Sequence, residues 1–342
     1  MKDLSFKEFM NRLLTGMSIG IVVALIPGAL LGELAKALHW DMVVLLTKQA
    51  QVLLAPAMGL CIALQFKLTP IQSATLAITT MVGSGAIKVV DGALTLAGIG
   101  DVINAGLVAG VAVFIMLIIG NHLKAYTILV LPTVIVVCVG WFGLWSLTYV
   151  SQLTGLIGKL VNGFTTLQPV LAGILIAVTF AVMIISPIST AGVALAISLT
   201  GVGSGAANLG ICAAGFGLAI AGWKVNGLGT SIAHFLGSPK MQMANFIKKP
   251  IMVVPIVVNA AVMGMLAGLF SIQGTPASAG FGISGLIGPI NHLNIVQYTP
   301  VNILIAVLIF VVAPVVLSFI CTYLFERVLK WVKPEDYQIK FN

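Results

Sequence analysis

The sequence predicts an all-α membrane protein of about ten transmembrane helices, with re-entrant hairpins and an internal repeat. Three observations carry that expectation. Of the 342 residues, 59% are hydrophobic and 8% charged, whereas an ordinary soluble domain is about 25% charged. The charges are also unevenly spread. Between Lys159 and Lys224 lie 64 residues without Asp, Glu, Lys or Arg, and between Lys249 and Glu326 another 76. Water would not tolerate such stretches, but a bilayer core about 30 Å thick requires them at roughly 20 residues per helix. Finally, the basic residues gather at the ends of the apolar segments, where membrane topology places them.

Ten apolar segments can be drawn, at about 14–38, 43–66, 70–90, 102–121, 125–150, 167–187, 191–208, 209–223, 250–272 and 300–326. Backbone polar groups in lipid have no water partner, so each segment is expected to be helical. Pro27, Pro56 and Pro132 suggest kinks. Residues 1–13 read as an amphipathic cytoplasmic N-terminus leading into an uncleaved first span. Residues 14–150 form a first transmembrane half, 151–330 a second, and 331–342 a cytoplasmic tail. Segments 191–208 and 209–223 are short and glycine-rich and could form a re-entrant pair.

Orientation follows from Lys and Arg. With the N-terminus inside, Lys2, Lys7, Arg12, Lys67, Lys124, Lys224, Lys240, Lys248, Lys249, Arg327, Lys330, Lys333 and Lys340 fall on the cytoplasmic side. The outside holds mainly Asp91, Asp101 and Lys159. Both termini are therefore expected in the cytoplasm. The net charge of +8 sits at span ends and points to the bilayer, not to nucleic acid.

The repeat is read from two runs. Residues 69–86 are TPIQSATLAITTMVGSGA, and residues 186–206 are SPISTAGVALAISLTGVGSGA. Both open on Pro-Ile and close on Val-Gly-Ser-Gly-Ala. The span count implies a parallel repeat, and one miscounted span would make it inverted. Repeats of either kind are a common transporter build, with sites at the repeat interface. Residues 225–247 and 273–299 are rich in Gly, Ser, Pro and Asn yet fairly apolar. They read as re-entrant hairpins or as surface loops.

Candidate solute contacts follow from these features. Ser84 and Ser204 lie in the glycine tips, where unwound helix exposes backbone groups to a polar solute. Small-residue helix packing is the competing account. Asp101 and Asn104, at i and i+3, share a helix face near a span start, where Asp101 could also be a helix cap. Lys224, Asn226, His234 and Asn245 occupy the most polar stretch, and His292 lies in the second hairpin. The four cysteines sit singly in apolar segments and read as small buried hydrophobes. No phosphate-binding loop or metal motif occurs, so neither cofactor nor metal is expected and no catalytic residue is assigned.

The runs KVNGLGTSIAHFLGSPKMQMANFIKKP, TPASAGFGISGLIGPI and GIGDVINAG resemble the membrane IIC-type subunits of the bacterial phosphotransferase system. The likeness is greatest to a IIC-like subfamily that includes a toxin-regulator membrane protein. It covers residues 10 to 330. The resemblance implies a homodimer in the bacterial cell membrane, with re-entrant hairpins holding a sugar-like solute that moves by alternating access. It also implies separate cytoplasmic IIA and IIB subunits that supply the phosphoryl group. Sugar-transporting members use a glutamate in a late hairpin, whereas this chain has no Asp or Glu from residue 102 to 325. Three functions therefore stand: a permease for a small polar solute, a ligand-sensing regulator that kept the fold, and a proton- or sodium-coupled carrier.

Overall fold

The computed structural model describes residues 4–119, 122–123 and 126–339, with side chains undescribed at 29, 30, 33, 34, 37 and 196. Lys2, Lys124 and Lys340, used above for orientation, lie outside them. The chain is helical almost throughout. It forms two compact units, one from the chain up to Gly28 with Met42–Leu153, the other from Ala29–Asp41 with the chain after Thr154.

The chain begins with α1 (Phe6–Ala37), whose part up to Gly28 belongs to the first unit, followed by α2 (Asp41–Val52) and α3 (Leu54–Gln65). A 53° bend separates α2 from α3. Pro56 cannot donate to the carbonyl four residues back, so the ladder breaks there. Thr69 and Gln72 form a reciprocal capping box at the start of α4 (Pro70–Gly83). The expected segment 70–90 then departs from helix. Strand β1 (Ile87–Val90) pairs antiparallel with β2 (Ala93–Leu96). The joint is Asp91-Gly92, both at positive φ, which is the turn that two-residue hairpins favour.

Next comes α5 (Val102–Ile119). A continuous helix of 38 residues follows, Thr127–Phe164, made of α6 (Thr127–Val134), a π-turn at Ile135–Val139 and α7 (Gly140–Phe164). The π-turn lies one turn past Pro132, where the missing N–H loosens the ladder. Large apolar side chains on these helices stay uncovered, Trp141 at 73% for example. Apolar surface this extensive is a lipid face.

The second unit packs α8 (Pro169–Ile184), α10 (Gly201–Leu236), α12 (Val253–Leu269) and α15 (Ala313–Tyr323) around a core that includes Ile176, Phe180, Cys212 and Met263. At the α8–α12 crossing, a Cβ on Gly173 would sit 2.3 Å from the Gly264 carbonyl oxygen. The two backbones touch, as small residues permit. Short α9 (Thr190–Ala196) precedes α10, α11 (Met243–Lys248) follows it, and α13 (Ile287–Val296) and α14 (Pro300–Val307) precede α15.

Among the described residues six helices are long and apolar enough to span a bilayer, and α2 with α3 makes a seventh if the bent pair is one span. Ten was the expectation; segment 70–90 yields only the 14-residue α4 before a hairpin, segment 167–187 the 16-residue α8, and segments 191–208 and 209–223 share one long helix. Segments 191–208 and 209–223 are not two short helices: α10 runs unbroken through 209–223. Further on, α10 contains its own fold-back. Gly227 has φ 70° and ψ 171°, a conformation that residues with a Cβ rarely adopt. A straight helix would set Phe216 and Phe235 nearly 30 Å apart at about 1.5 Å per residue. Their rings stack at 4.6 Å instead. The chain thus doubles back at Gly227, inside the stretch 225–247.

The two repeat runs take different local structures. In the first, Val-Gly-Ser-Gly-Ala closes α4; in the second, the same letters open α10 after a break at residues 197–200.

Candidate functional site

The expected contacts fall into three groups. In the first unit, Ser84, Asp101 and Asn104 come together. The Asp101 N–H donates to the Ser84 carbonyl at 2.8 Å, and Asp101 Oδ1 accepts from the Asn104 N–H at 2.8 Å, capping α5. Asn104 is fully buried. Its Nδ2 donates to the carbonyls of Gly83 (2.7 Å) and Gly143 (2.8 Å), and its Oδ1 accepts from Ser146 Oγ. Every bonding site on this amide except one lone pair is used, so the cluster is a polar staple.

A second group surrounds the C-terminal tail. Asn226 reads the tail as another peptide would: Nδ2 donates to the Tyr337 carbonyl and Oδ1 accepts from the Ile339 N–H, both at 2.7 Å. Gln242 Nε2 donates to the same carbonyl (2.7 Å) and faces His234 Nε2 at 3.2 Å. Asn245 donates to Gln242 Oε1 and to the Gln338 carbonyl. Asn226 and Asn245, with His234 behind Gln242, thus hold residues 337–339. Lys224 is exposed and lies within electrostatic range of Glu326.

The third group contains Ser204 and His292, and it is built around an irregular segment. Residues 270–283, between α12 and α13, form no helix, and half of them are buried. Gly274 pairs backbone to backbone with Gly201. A Cβ on Gly205 would fall 1.8 Å from the Ile272 carbonyl oxygen, so the segment lies flat on the first turn of α10. Ser204 Oγ donates to the Thr275 carbonyl at 2.8 Å. His292 Nδ1 accepts from the Gln273 N–H at 3.1 Å, which leaves its proton on Nε2. Thr190 donates to the Gly280 carbonyl, and Thr275 to Asn291 Oδ1.

Four residues in and around this group were not anticipated. Asn208 is fully buried; its Oδ1 accepts from the Gly282 N–H at 3.0 Å, and its Nδ2 has no partner. Thr275 and Ser278 bond each other's main-chain groups and close the turn. Lys240, in the turn between α10 and α11, is buried and donates to the carbonyls of Ser186 and Ile188. Burial pushes its ammonium down to about 7. The signal for Asn208 was present, an amide inside an otherwise apolar helix, but it competed with a dozen other polar residues.

A partly buried segment rich in glycine, hydroxyls and amides offers main-chain N–H and C=O groups outside regular helix, and in a membrane protein such backbone occurs where protein or a cavity covers it. That arrangement can hold a neutral, hydroxyl-rich solute. No carboxylate stands among these residues. No curated protein and no solved structure matches the chain. A family model, "Phosphotransferase system, EIIC", matches residues 11–339, the helical apolar architecture agrees with it, and the chain belongs to that family of membrane permease components of sugar transport.

Proposed function

We propose that this chain is the solute-translocating membrane component of a phosphotransferase-type system. It takes a sugar or related small metabolite, works as a homodimer by alternating access, and meets separate cytoplasmic IIA and IIB proteins with both its termini in the cytoplasm. The half-buried irregular segment 270–283, with the unpaired Asn208 amide beside it, is the observation that carries this reading. A hydroxyl-rich solute would be bonded by Asn208 Nδ2, the Ser204 hydroxyl, His292 Nε2 and glycine-flanked backbone. With no acid from residue 102 to 325, recognition rests on neutral donors and acceptors, and the phosphoryl chemistry falls to IIB.

Uptake into proteoliposomes tests this, with a panel of labelled hexoses, disaccharides and polyols, with and without IIA, IIB and a phosphoryl donor. We expect accumulation of at least one solute, reduced about tenfold in Asn208→Leu, the loss of one good hydrogen bond in a dry site. No uptake of any panel member, together with no solute-dependent thermal shift, rejects the permease reading. The docked tail supports a second reading, a sensor that reports ligand binding through residues 337–339. Ligand-dependent protection of the tail in the absence of uptake would favour it.

A further inference from the structure

A separate small cavity lies in the second unit, between α10, α12, the last helix and the tail. Asn259, Ser318, Thr322, Glu326 and Tyr337 form its polar wall. It has room for about one water-sized occupant.

The polar wall is unbalanced. Asn259 is 1% exposed; its Nδ2 donates to Ser318 Oγ at 2.9 Å, while Oδ1 has no partner. Ser318 spends its own proton on the Pro314 carbonyl, so its oxygen is left only to accept. Glu326 Oε1 is buried and also unpartnered. Ser318, Thr322 and Glu326 recur every four residues, and the π-turn Leu324–Val328 keeps the last of them on the same face. The unpaired buried atoms around this cavity are therefore acceptors, and one belongs to a carboxyl group. An uncompensated acceptor in an apolar interior is destabilising, and a bound cation relieves more than one at once.

The surrounding charges leave that need unmet. Lys224 and Arg327 lie within electrostatic range of Glu326 without bonding Oε1, and Glu335 and Asp336 add negative charge. Asp336 is engaged by Lys249. Burial, then the Glu326 and Asp336 carboxylates, push the Tyr337 phenol above its ordinary value, so that wall stays a neutral hydroxyl.

We propose that this cavity binds one monovalent alkali cation, Na⁺ by size, through Asn259 Oδ1, Ser318 Oγ and the Glu326 carboxylate. Oxygen donors suit hard cations. One carboxylate balances one charge. No group of three His, Cys, Asp or Glu side chains exists among the described residues, so a divalent or transition ion would lack its usual ligands. Because Tyr337 lines the cavity and its carbonyl is held by Asn226 and Gln242, a bound ion also steadies the docked tail.

The experiment uses the full chain purified in detergent, melted in NaCl, KCl, LiCl or choline chloride at equal ionic strength, with ²²Na⁺ equilibrium dialysis alongside. NaCl should raise Tm by several degrees over choline in a saturable way, with one Na⁺ bound per chain. Glu326→Gln, which keeps the shape and removes the charge, should abolish both effects. Equal Tm in Na⁺ and choline with no bound ²²Na⁺ in the unsubstituted protein overturns the proposal and leaves the cavity to water. Full Na⁺ binding retained by Glu326→Gln overturns it as well, since the ion would then sit elsewhere. Should Glu326→Gln fold poorly, Asn259→Leu supplies the same comparison from the opposite wall.

Discussion

In the first unit Val-Gly-Ser-Gly-Ala ends a helix; in the second it begins one. The first tip is stapled by a side chain: Asn104, 21 residues beyond Gly83, bonds its carbonyl, and Gly83 itself abuts Gly143. The second tip is held by backbone 71 residues away, where Ser204 meets Thr275, and by the Gly201–Gly274 pairing. The first buried asparagine has nearly all its bonding capacity used; the second, Asn208, keeps a free N–H. The contrast separates a structural polar cluster from one with unspent capacity. Two identical pentapeptide tips thus lie beside asparagines that differ in whether the protein has already satisfied them.

The sharpest way to break this comparison is to add one methyl to each tip. A Cβ on Gly205 meets the Ile272 carbonyl oxygen at 1.8 Å and its carbon at 2.5 Å, both backbone atoms. On Gly83 it meets the Val108 methyls at 2.8 and 2.9 Å and the Gly143 Cα at 3.3 Å, all longer than the contacts at Gly205. Overpacking typically costs about 1–3 kcal/mol. Gly205→Ala should fall at the upper end or prevent assembly of the hairpin, and Gly83→Ala near the lower. Thermal unfolding and yield of monodisperse protein measure both. Equal losses would show that the irregular segment does not depend on close contact with α10.

The two asparagines come next. Asn104→Ala removes three hydrogen bonds, to the Gly83 and Gly143 carbonyls and from the Ser146 hydroxyl, and should destabilise by about 2–3 kcal/mol. Asn208→Ala removes one bond, to the Gly282 N–H, and should cost about 1 kcal/mol. Its larger effect should be on solute uptake at saturating protein, where any Asn104 variant that folds keeps its apparent KM. A reversed order of stability losses would mean that the free Nδ2 of Asn208 is not spare capacity.

Much of the architecture was legible because lipid imposes it: charge-poor stretches become helices, and Pro56 bends its span. Elsewhere the same apolar count misled. VVDGALTL alternates and carries Asp-Gly, both hairpin signals, yet its apolarity merged it with the preceding span. Residues 191–223 are glycine-rich throughout, and nothing local distinguishes the break at 197–200 from the unbroken helix at 209–223. At the site, Ser204 and His292 could be singled out, but their meeting over residues 273–275 depends on contacts dozens of residues apart. Asn226, His234 and Asn245 could be singled out too, and the partner they hold, the tail at 337–339, is about a hundred residues downstream.

The tail sharpens the comparison at its weakest point, since it repeats in the second unit the stapling that Asn104 performs in the first. Two side chains bind it with different physics. Asn226 closes two short neutral bonds, to the Tyr337 carbonyl and from the Ile339 N–H. Lys249 forms an ion pair with Asp336, their side chains 37% and 20% exposed. Exposed pairs are screened and are worth about 0.2–1 kcal/mol, whereas a satisfied neutral hydrogen bond contributes about 1 kcal/mol. Asn226→Ala should therefore lower stability by about 1 kcal/mol and Lys249→Ala by about 0.5 kcal/mol or less. Only the Lys249 effect should shrink further in high salt. Deuterium exchange at the Ile339 amide gives a local reading of the same order, rising strongly in Asn226→Ala and little in Lys249→Ala. If Lys249→Ala frees that amide as fully as Asn226→Ala, the tail is held by charge, and the likeness to the Asn104 staple fails.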